Sequence, residues 1–173
     1  MGLSIGIQIG DQGVQSMLSL LQGRAKGMTP AFKNIGEYMI REREKLFKEE
    51  HAPDGTPWLS LAESTKDSIF RKIRKQKRRR DKACLVSTRS ITNKKILTQD
   101  HHLRRTVYKA GADQVVVGPD KTSQAYARIH QLGGKAGRGR KVYIPARPHL
   151  GVNAENKKEF IEIIRDHLLS GVV

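Results

Sequence analysis

Six histidines, one cysteine and a glycine-rich basic loop are the residues of this 173-residue chain with types that could carry chemistry. His51, His101, His102, His130, His149 and His167 show no HxxxH or HExxH spacing, the arrangement that places two metal ligands on one helical face. Adjacent His101 and His102 point to different sides of an extended chain, so no metal is expected. Cys84 beside Leu85 and Val86 reads as a small buried hydrophobe more readily than as half of a Cys–His nucleophile pair. The acids group as Glu42, Glu44, Glu49, Glu50 and as Glu155, Glu159, Glu162, Asp166, the pattern of solvated helix faces and not of a working carboxylate pair. Residues 133–140 hold glycines and cations like a phosphate-cradling loop, yet lack the GxxxxGK[ST] order and the strand-to-helix setting. No nucleophile, base and stabiliser can be named together, so neither an enzyme nor a cofactor is expected.

Charge speaks more clearly. Lys and Arg number 33 against 17 Asp and Glu, a net of +16 that attracts polyanions and repels a second copy unless partners intervene. Residues 71–82 alone carry nine cations and one acid, half of that excess. Arg74, Lys75, Arg78, Arg79 and Arg80 there, with Lys135, Arg138, Arg140 and Lys141 in the basic loop 134–141, are candidates for contact with phosphate or with a protein surface. Both segments are expected to be mobile without a partner. Aromatic residues make up 5% of the chain and none pairs beside the basic run, so base stacking is not expected, while sequence-blind backbone contact stays open. A solvated basic helix without a nucleic-acid role is the plainer alternative.

These residues need a scaffold. The length fits one domain, 1–173, with residues 1–28 as an N-terminal extension. A lone cysteine excludes an internal disulfide, and apolar runs fall far short of the roughly 20 residues that cross a bilayer, so no membrane contact is expected. Residues 1–10 lack a basic-then-apolar secretory pattern, and a protein made and used, or assembled, in the cytoplasm is the expectation. Alternation predicts a strand at 4–9. Val14, Met17, Leu18 and Leu21 predict a short amphipathic helix over 12–22, stopped by Gly23 with a basic linker to Gly27. Thr29 as cap and Pro30 at the first helical position open a long helix to about Glu50, with Phe32, Ile35, Met39, Leu46 and Phe47 inward. Pro53-Asp54-Gly55 turns the chain toward the single tryptophan, Trp58, as a buried anchor. Ser60 or Ser64 then caps a second helix that runs into the basic segment. A short strand at 84–86 is expected, followed by a hairpin from 105–109 and 114–117 about Gly111-Ala112-Asp113, a strand at 141–144, and a last helix capped by Asn153 with Phe160, Ile161, Ile164 and Leu168 inward. The class is α+β: a small antiparallel sheet with a long N-terminal-half helix and a C-terminal helix packed on it.

Three blocks then stand out: Pro53-Asp54-Gly55-Thr56-Pro57-Trp58-Leu59-Ser60-Leu61, Tyr126-Ala127-Arg128-Ile129-His130-Gln131-Leu132-Gly133, and Ile144-Pro145-Ala146-Arg147-Pro148-His149-Leu150-Gly151. With Ile96-Leu97, Leu103 to Val107 and Val117-Gly118 between them, they resemble the phage virion morphogenesis family, the tail completion proteins of Mu-like and related tailed phages. The resemblance covers roughly residues 39–169. Each block reads as turn chemistry or anchoring. His130 and Gln131 can satisfy backbone groups or bridge to a neighbour, while Pro145 and Pro148 stiffen a segment that presents Arg147, whose fork suits carboxylates within the fold or across an interface. The resemblance implies a non-enzymatic assembly protein of the virion, made in the host cytoplasm. It would complete the tail and join it to the head at the neck, in a homo-oligomeric ring that meets other neck and tail proteins and, non-specifically, the packaged DNA. The alternative is a cytoplasmic protein that grips nucleic-acid phosphates without reading sequence.

Overall fold

The computed structural model describes residues 11–80, 95–97 and 102–170. The strands expected at 4–9 and 84–86 lie outside these residues. Within them the order is α1 (Gln12–Lys26), α2 (Thr29–Glu49), α3 (Glu63–Arg80), β1 (Thr106–Ala110), β2 (Val115–Pro119), α4 (Gln124–Leu132), β3 (Gly134–Ala136), a 3-10 turn (Arg138–Arg140), β4 (Val142–Ile144) and α5 (Ala154–Leu169). The fold is α+β. Its strands form two separate antiparallel hairpins, β1–β2 and β3–β4, and α2 lies between the first hairpin and α5.

Helix α2 organises the rest because one of its rows is almost wholly inward. Ala31, Ile35, Gly36, Met39, Arg43 and Phe47 are buried, at the three- and four-residue spacing of a single helical face. Thr29 is already helical and Met28 occupies the cap position without a side-chain bond, one residue earlier than expected. Pro30 still sits in the first turn, where its missing amide costs nothing. Likewise α3 starts after Ala62, whose carbonyl accepts from Thr65 and Lys66 (2.9 and 3.0 Å), and Ser64 is inside the helix instead of capping it.

The β1–β2 hairpin has the expected pairing, with Tyr108 opposite Val117 and Ala110 opposite Val115. Thr106, Tyr108 and Ala110 are half-buried, whereas Val107 and Lys109 face outward. Tyr108 rests on α2 at Gly36, where an added Cβ would lie 2.4 Å from ring atom Cδ2 and 2.6 Å from Cγ. Alanine there would gain about 1 kcal/mol in helix propensity, but ring atoms near the root of the tyrosine would have to move, and overpacking of this kind costs about 1–3 kcal/mol. Gly36→Ala is therefore expected to lower the unfolding midpoint, and a smaller effect of the same change in a Tyr108→Ala background identifies the ring as the cause.

At the C-terminal end, Asn153 caps α5 as expected: its Oδ1 accepts from the Asn156 amide at 2.7 Å, and Asn156 Oδ1 accepts from the Asn153 amide at 3.0 Å. Asn156 Nδ2 also donates to the Tyr38 hydroxyl at 3.0 Å, and Tyr38 meets Phe160 edge-to-face at 6.0 Å, which fastens α5 to α2. Phe160, Ile164 and Leu168 are partly covered, but Ile161 is 63% exposed because it falls just off the row facing α2. Helix α1 passes through Gly23 and ends at Gly27, four residues later than expected. Its continuation has a reason: Arg24 Nη1 donates to the carbonyls of His167 (3.4 Å) and Leu168 (3.2 Å) and to Ser170 Oγ (2.9 Å), supplying donors to the last turn of α5. The apolar positions Val14, Met17 and Leu18 form the expected stripe yet remain exposed.

Candidate functional site

Where α2 ends, the chain is held by local chemistry. Glu50 adopts a left-handed backbone (φ 62°), and its carboxylate accepts from the Ile96 amide. The turn that follows closes through Ala52 N to Thr56 O (2.8 Å), Gly55 N to Ala52 O (2.9 Å) and Thr56 N to Asp54 Oδ1 (2.9 Å), with Gly55 at φ +83°. This turn delivers Trp58, 6% exposed, edge-on to Phe47 at 5.3 Å. Ala52, Ile96, Leu103 and Ala127 complete that cluster.

The three sequence blocks meet here. Trp58 Nε1 donates to Pro148 O at 2.8 Å. Arg147 donates from Nε to Leu59 O (2.9 Å) and from Nη2 to Ser60 O (3.0 Å), and its own amide donates to His130 O (2.7 Å). Gln131 clamps the last block from both ends of its amide: Nε2 donates to Leu150 O (2.7 Å), while Oε1 accepts from the amides of His149 (2.9 Å) and Leu150 (3.1 Å). Gly133 ends α4 with a left-handed φ of +72°, and a side chain there would come within 2.7 Å of the Ala146 amide nitrogen. Trp58 and Gln131 thus hold main chain of the third block in place. Pro145 is half-buried in the segment leading to Arg147. His130 is an anchor through its carbonyl; its ring meets Tyr126 edge-on at 6.2 Å, and its Nδ1 is buried without a hydrogen bond among the described residues.

Arg147 requires a correction. It is 4% exposed, and its Nε and Nη2 donate to backbone carbonyls of the first block, so it is enclosed in the fold and does not face a partner or a phosphate. Conversely, Arg43 was not recognised as a site residue, although it occupies the 35, 39, 43, 47 row of α2 where a cation is out of place. It is 1% exposed and bonds Leu103 O (2.9 Å), His149 O (3.2 Å), Arg105 O (3.4 Å) and Thr106 Oγ1 (2.5 Å), with its guanidinium 5.3 Å from the Phe47 ring centre. Burial pulls its pKa down to about 10, opposed by the Asp120 carboxylate, so it stays charged at neutral pH. One buried guanidinium ties α2 to the start of the first hairpin and to the third block.

Beside it, His149 is 2% exposed, and its Nδ1 lies 3.3 Å from Arg147 O, the geometry of an Nδ1–H donor. Burial first, and then Arg43, push its pKa down to about 4; burial and Arg147 also lower that of His130. The folded state therefore favours neutral imidazoles. Between the ordinary value of 6.5 and about 4 the unfolded chain binds a proton that folded His149 refuses, so stability is full above 6.5 and falls as pH drops through this window. The slope from His149 alone is about 1.4 kcal/mol per pH unit, roughly 3 kcal/mol in all. Denaturant unfolding of wild type and His149→Gln from pH 7 to 4 checks this: the variant's curve is expected to be flatter, and parallel curves would refute it.

The cationic candidates lie elsewhere. Arg74 and Lys75 are exposed on α3. Lys135, Arg138 and Lys141 are exposed on the second hairpin, so the segment 134–141, a basic loop by composition, includes a short strand and a 3-10 turn. Gly134 pairs with Ile144 and Ala136 with Val142, and glycines at positive φ (Gly137 +81°, Gly139 +72°) make the reversal that their composition disguised as a linker. The side chains of Arg78, Arg79, Arg80 and Arg140 lie outside the described residues. Among the described residues no group of three or more His, Cys, Asp or Glu could hold a metal ion, and no helix is long and apolar enough to cross a membrane.

Compared with known proteins, the chain matches the profile of the phage virion morphogenesis family over residues 9–169. It is 49% identical over 55 residues to Mu-like prophage FluMu G protein 2 of Haemophilus influenzae, a match that covers 32% of this chain and 38% of that relative's length. No solved structure matches it. A profile match across nearly the whole chain, with its three sequence blocks folded into a single frame, means that the chain belongs to the phage virion morphogenesis family.

Proposed function

We propose that this protein is a non-enzymatic component of the virion that completes the phage tail and joins it to the head at the neck, as a closed ring of identical copies. Its partners are the neighbouring neck and tail proteins, and it reaches the virion from the host cytoplasm, where assembly occurs. The observation that supports this reading is the use made of the three blocks. Their polar side chains Trp58, Gln131 and Arg147 hold main chain in place, the chemistry of a rigid body that presents surfaces. A ring suits the charge: copies that each carry +16 need heterologous contacts and acidic or polyanionic neighbours to offset repulsion. Deleting the gene is expected to leave filled heads and tails that fail to unite, or tails of faulty completion, in electron micrographs of lysates. Normal infectious particles after deletion would overturn the proposal.

A further inference from the structure

Helix α3 changes character along its length. Ile69 is buried and Phe70 half-buried, and Ile73 continues their row by spacing. The positions that would extend this row, 77 and 80, are Lys and Arg. From residue 71 to 80 the helix holds eight cations and no acid. At 100° per residue they occupy every side of it: Arg71, Lys75 and Arg78 fall opposite Lys77 and Arg80. Arg71, Lys72, Arg74 and Lys75 are exposed, and the ion pairs among the described residues are Lys66–Glu63 and Arg165–Glu162, neither of which neutralises them. Cations three and four apart repel one another, and each such pair destabilises a helix by a few tenths of a kcal/mol. Among the described residues, the cations from 71 to 75 have no ion-pair partner.

We propose that residues 71–80 of α3 form an arm that lies in a groove of double-stranded DNA, contacts phosphates on both walls without reading sequence, and is stabilised as helix by doing so. Density and shape both fit. Ten helical residues span about 15 Å, and a duplex carries one phosphate charge per roughly 1.7 Å, so about nine phosphates face eight cations. An α-helix of about 10–12 Å diameter enters a major groove about 12 Å wide, where opposite sides of the helix each meet a backbone. A flat acidic protein surface would neutralise one side and leave the other unpaired. Single-stranded nucleic acid is disfavoured because its binders stack bases on aromatic side chains, and this stretch has none. The inference stands whether or not the chain closes a ring.

The test is fluorescence anisotropy of the full chain with labelled duplexes of unrelated sequence, about 24 base pairs long, across a salt series. The duplexes are expected to bind within about threefold of each other, with log affinity falling linearly against log salt at about −0.9 per phosphate engaged. The variant Arg71→Gln/Arg74→Gln/Lys75→Gln/Arg78→Gln should lose at least tenfold in affinity and show a shallower slope, with a melting temperature no lower than wild type because it relieves like-charge repulsion along the helix. Amide exchange over 71–80 in the wild-type protein should slow when DNA is added, a readout that needs no variant. Unchanged affinity and slope in the variant, or unchanged exchange, would overturn the proposal. So would salt-sensitive self-association without DNA that Glu42→Gln/Glu49→Gln abolishes. That result would place the arm instead in the acidic cleft, lined by Glu42, Glu49, Asp54 and Glu155, of a second copy.

Discussion

Arg43→Leu is expected to destabilise the fold by about 3 kcal/mol, which for a chain of this size lowers the melting temperature by roughly 6–12 °C. Two effects oppose each other. Leucine removes the cost of desolvating a charge that makes no direct ion pair, a real gain when buried cations are replaced by apolar groups. Against this, the carbonyls of Leu103 and His149 lose a charged donor inside the fold, and Thr106 Oγ1 loses its 2.5 Å contact. Each stranded acceptor costs about 1–3 kcal/mol, so three of them outweigh the gain. Arg43→Lys retains the charge but cannot span acceptors on two segments with one ammonium, and it should recover only about half of the loss. Thermal unfolding of both variants checks the ordering. A leucine variant as stable as wild type would show that the guanidinium is tolerated and does not tie the segments together.

Trp58→Ala should cost more, about 3–5 kcal/mol, because it empties the centre of the cluster and strands Pro148 O. Trp58→Phe separates the contributions: the ring contact with Phe47 survives while the Nε1–H bond is lost, for about 1 kcal/mol. Trp58 is the chain's single tryptophan, so its fluorescence reports this cluster directly. The wild-type emission is expected to shift to longer wavelength on unfolding, together with the loss of helical circular dichroism. If Trp58→Ala melted within a degree or two of wild type, Trp58 would be peripheral and the frame would have to be held by Arg147 and Gln131.

These variants separate the frame from the proposed function. Arg43, Trp58, Gln131 and Arg147 act on main chain, so altering them should impair assembly through stability. Arg71, Lys72, Arg74 and Lys75 of α3 are exposed, and altering them should change contacts while leaving the fold intact.

Much of the architecture was legible in the residues because its signals are local. The row Ile35, Met39, Phe47 gave α2, alternation about Gly111-Ala112-Asp113 gave the first hairpin, and Asn153 gave the start of α5, since periodicity and capping act within a few residues. The three blocks gave the family. Other features depended on what lies across the fold. Gly23 is helical because Arg24 reaches the end of α5, 143 residues away in sequence. Of the second hairpin the strand at 141–144 was legible, but its partner Gly134–Ala136 hid behind a glycine-rich composition, since a strand of three residues leaves almost no alternation to read. The fates of the two arginines were settled in the same way. Arginine is seldom buried, but carbonyls delivered by distant turns enclose Arg43 and Arg147, and only the assembled chain brings those acceptors together. The sequence by itself determined α2, the first hairpin, α5, the family and the excess of positive charge. The tertiary structure decided which cations are spent inside the fold and which remain free to meet a polyanion, because burial depends on segments far apart along the chain.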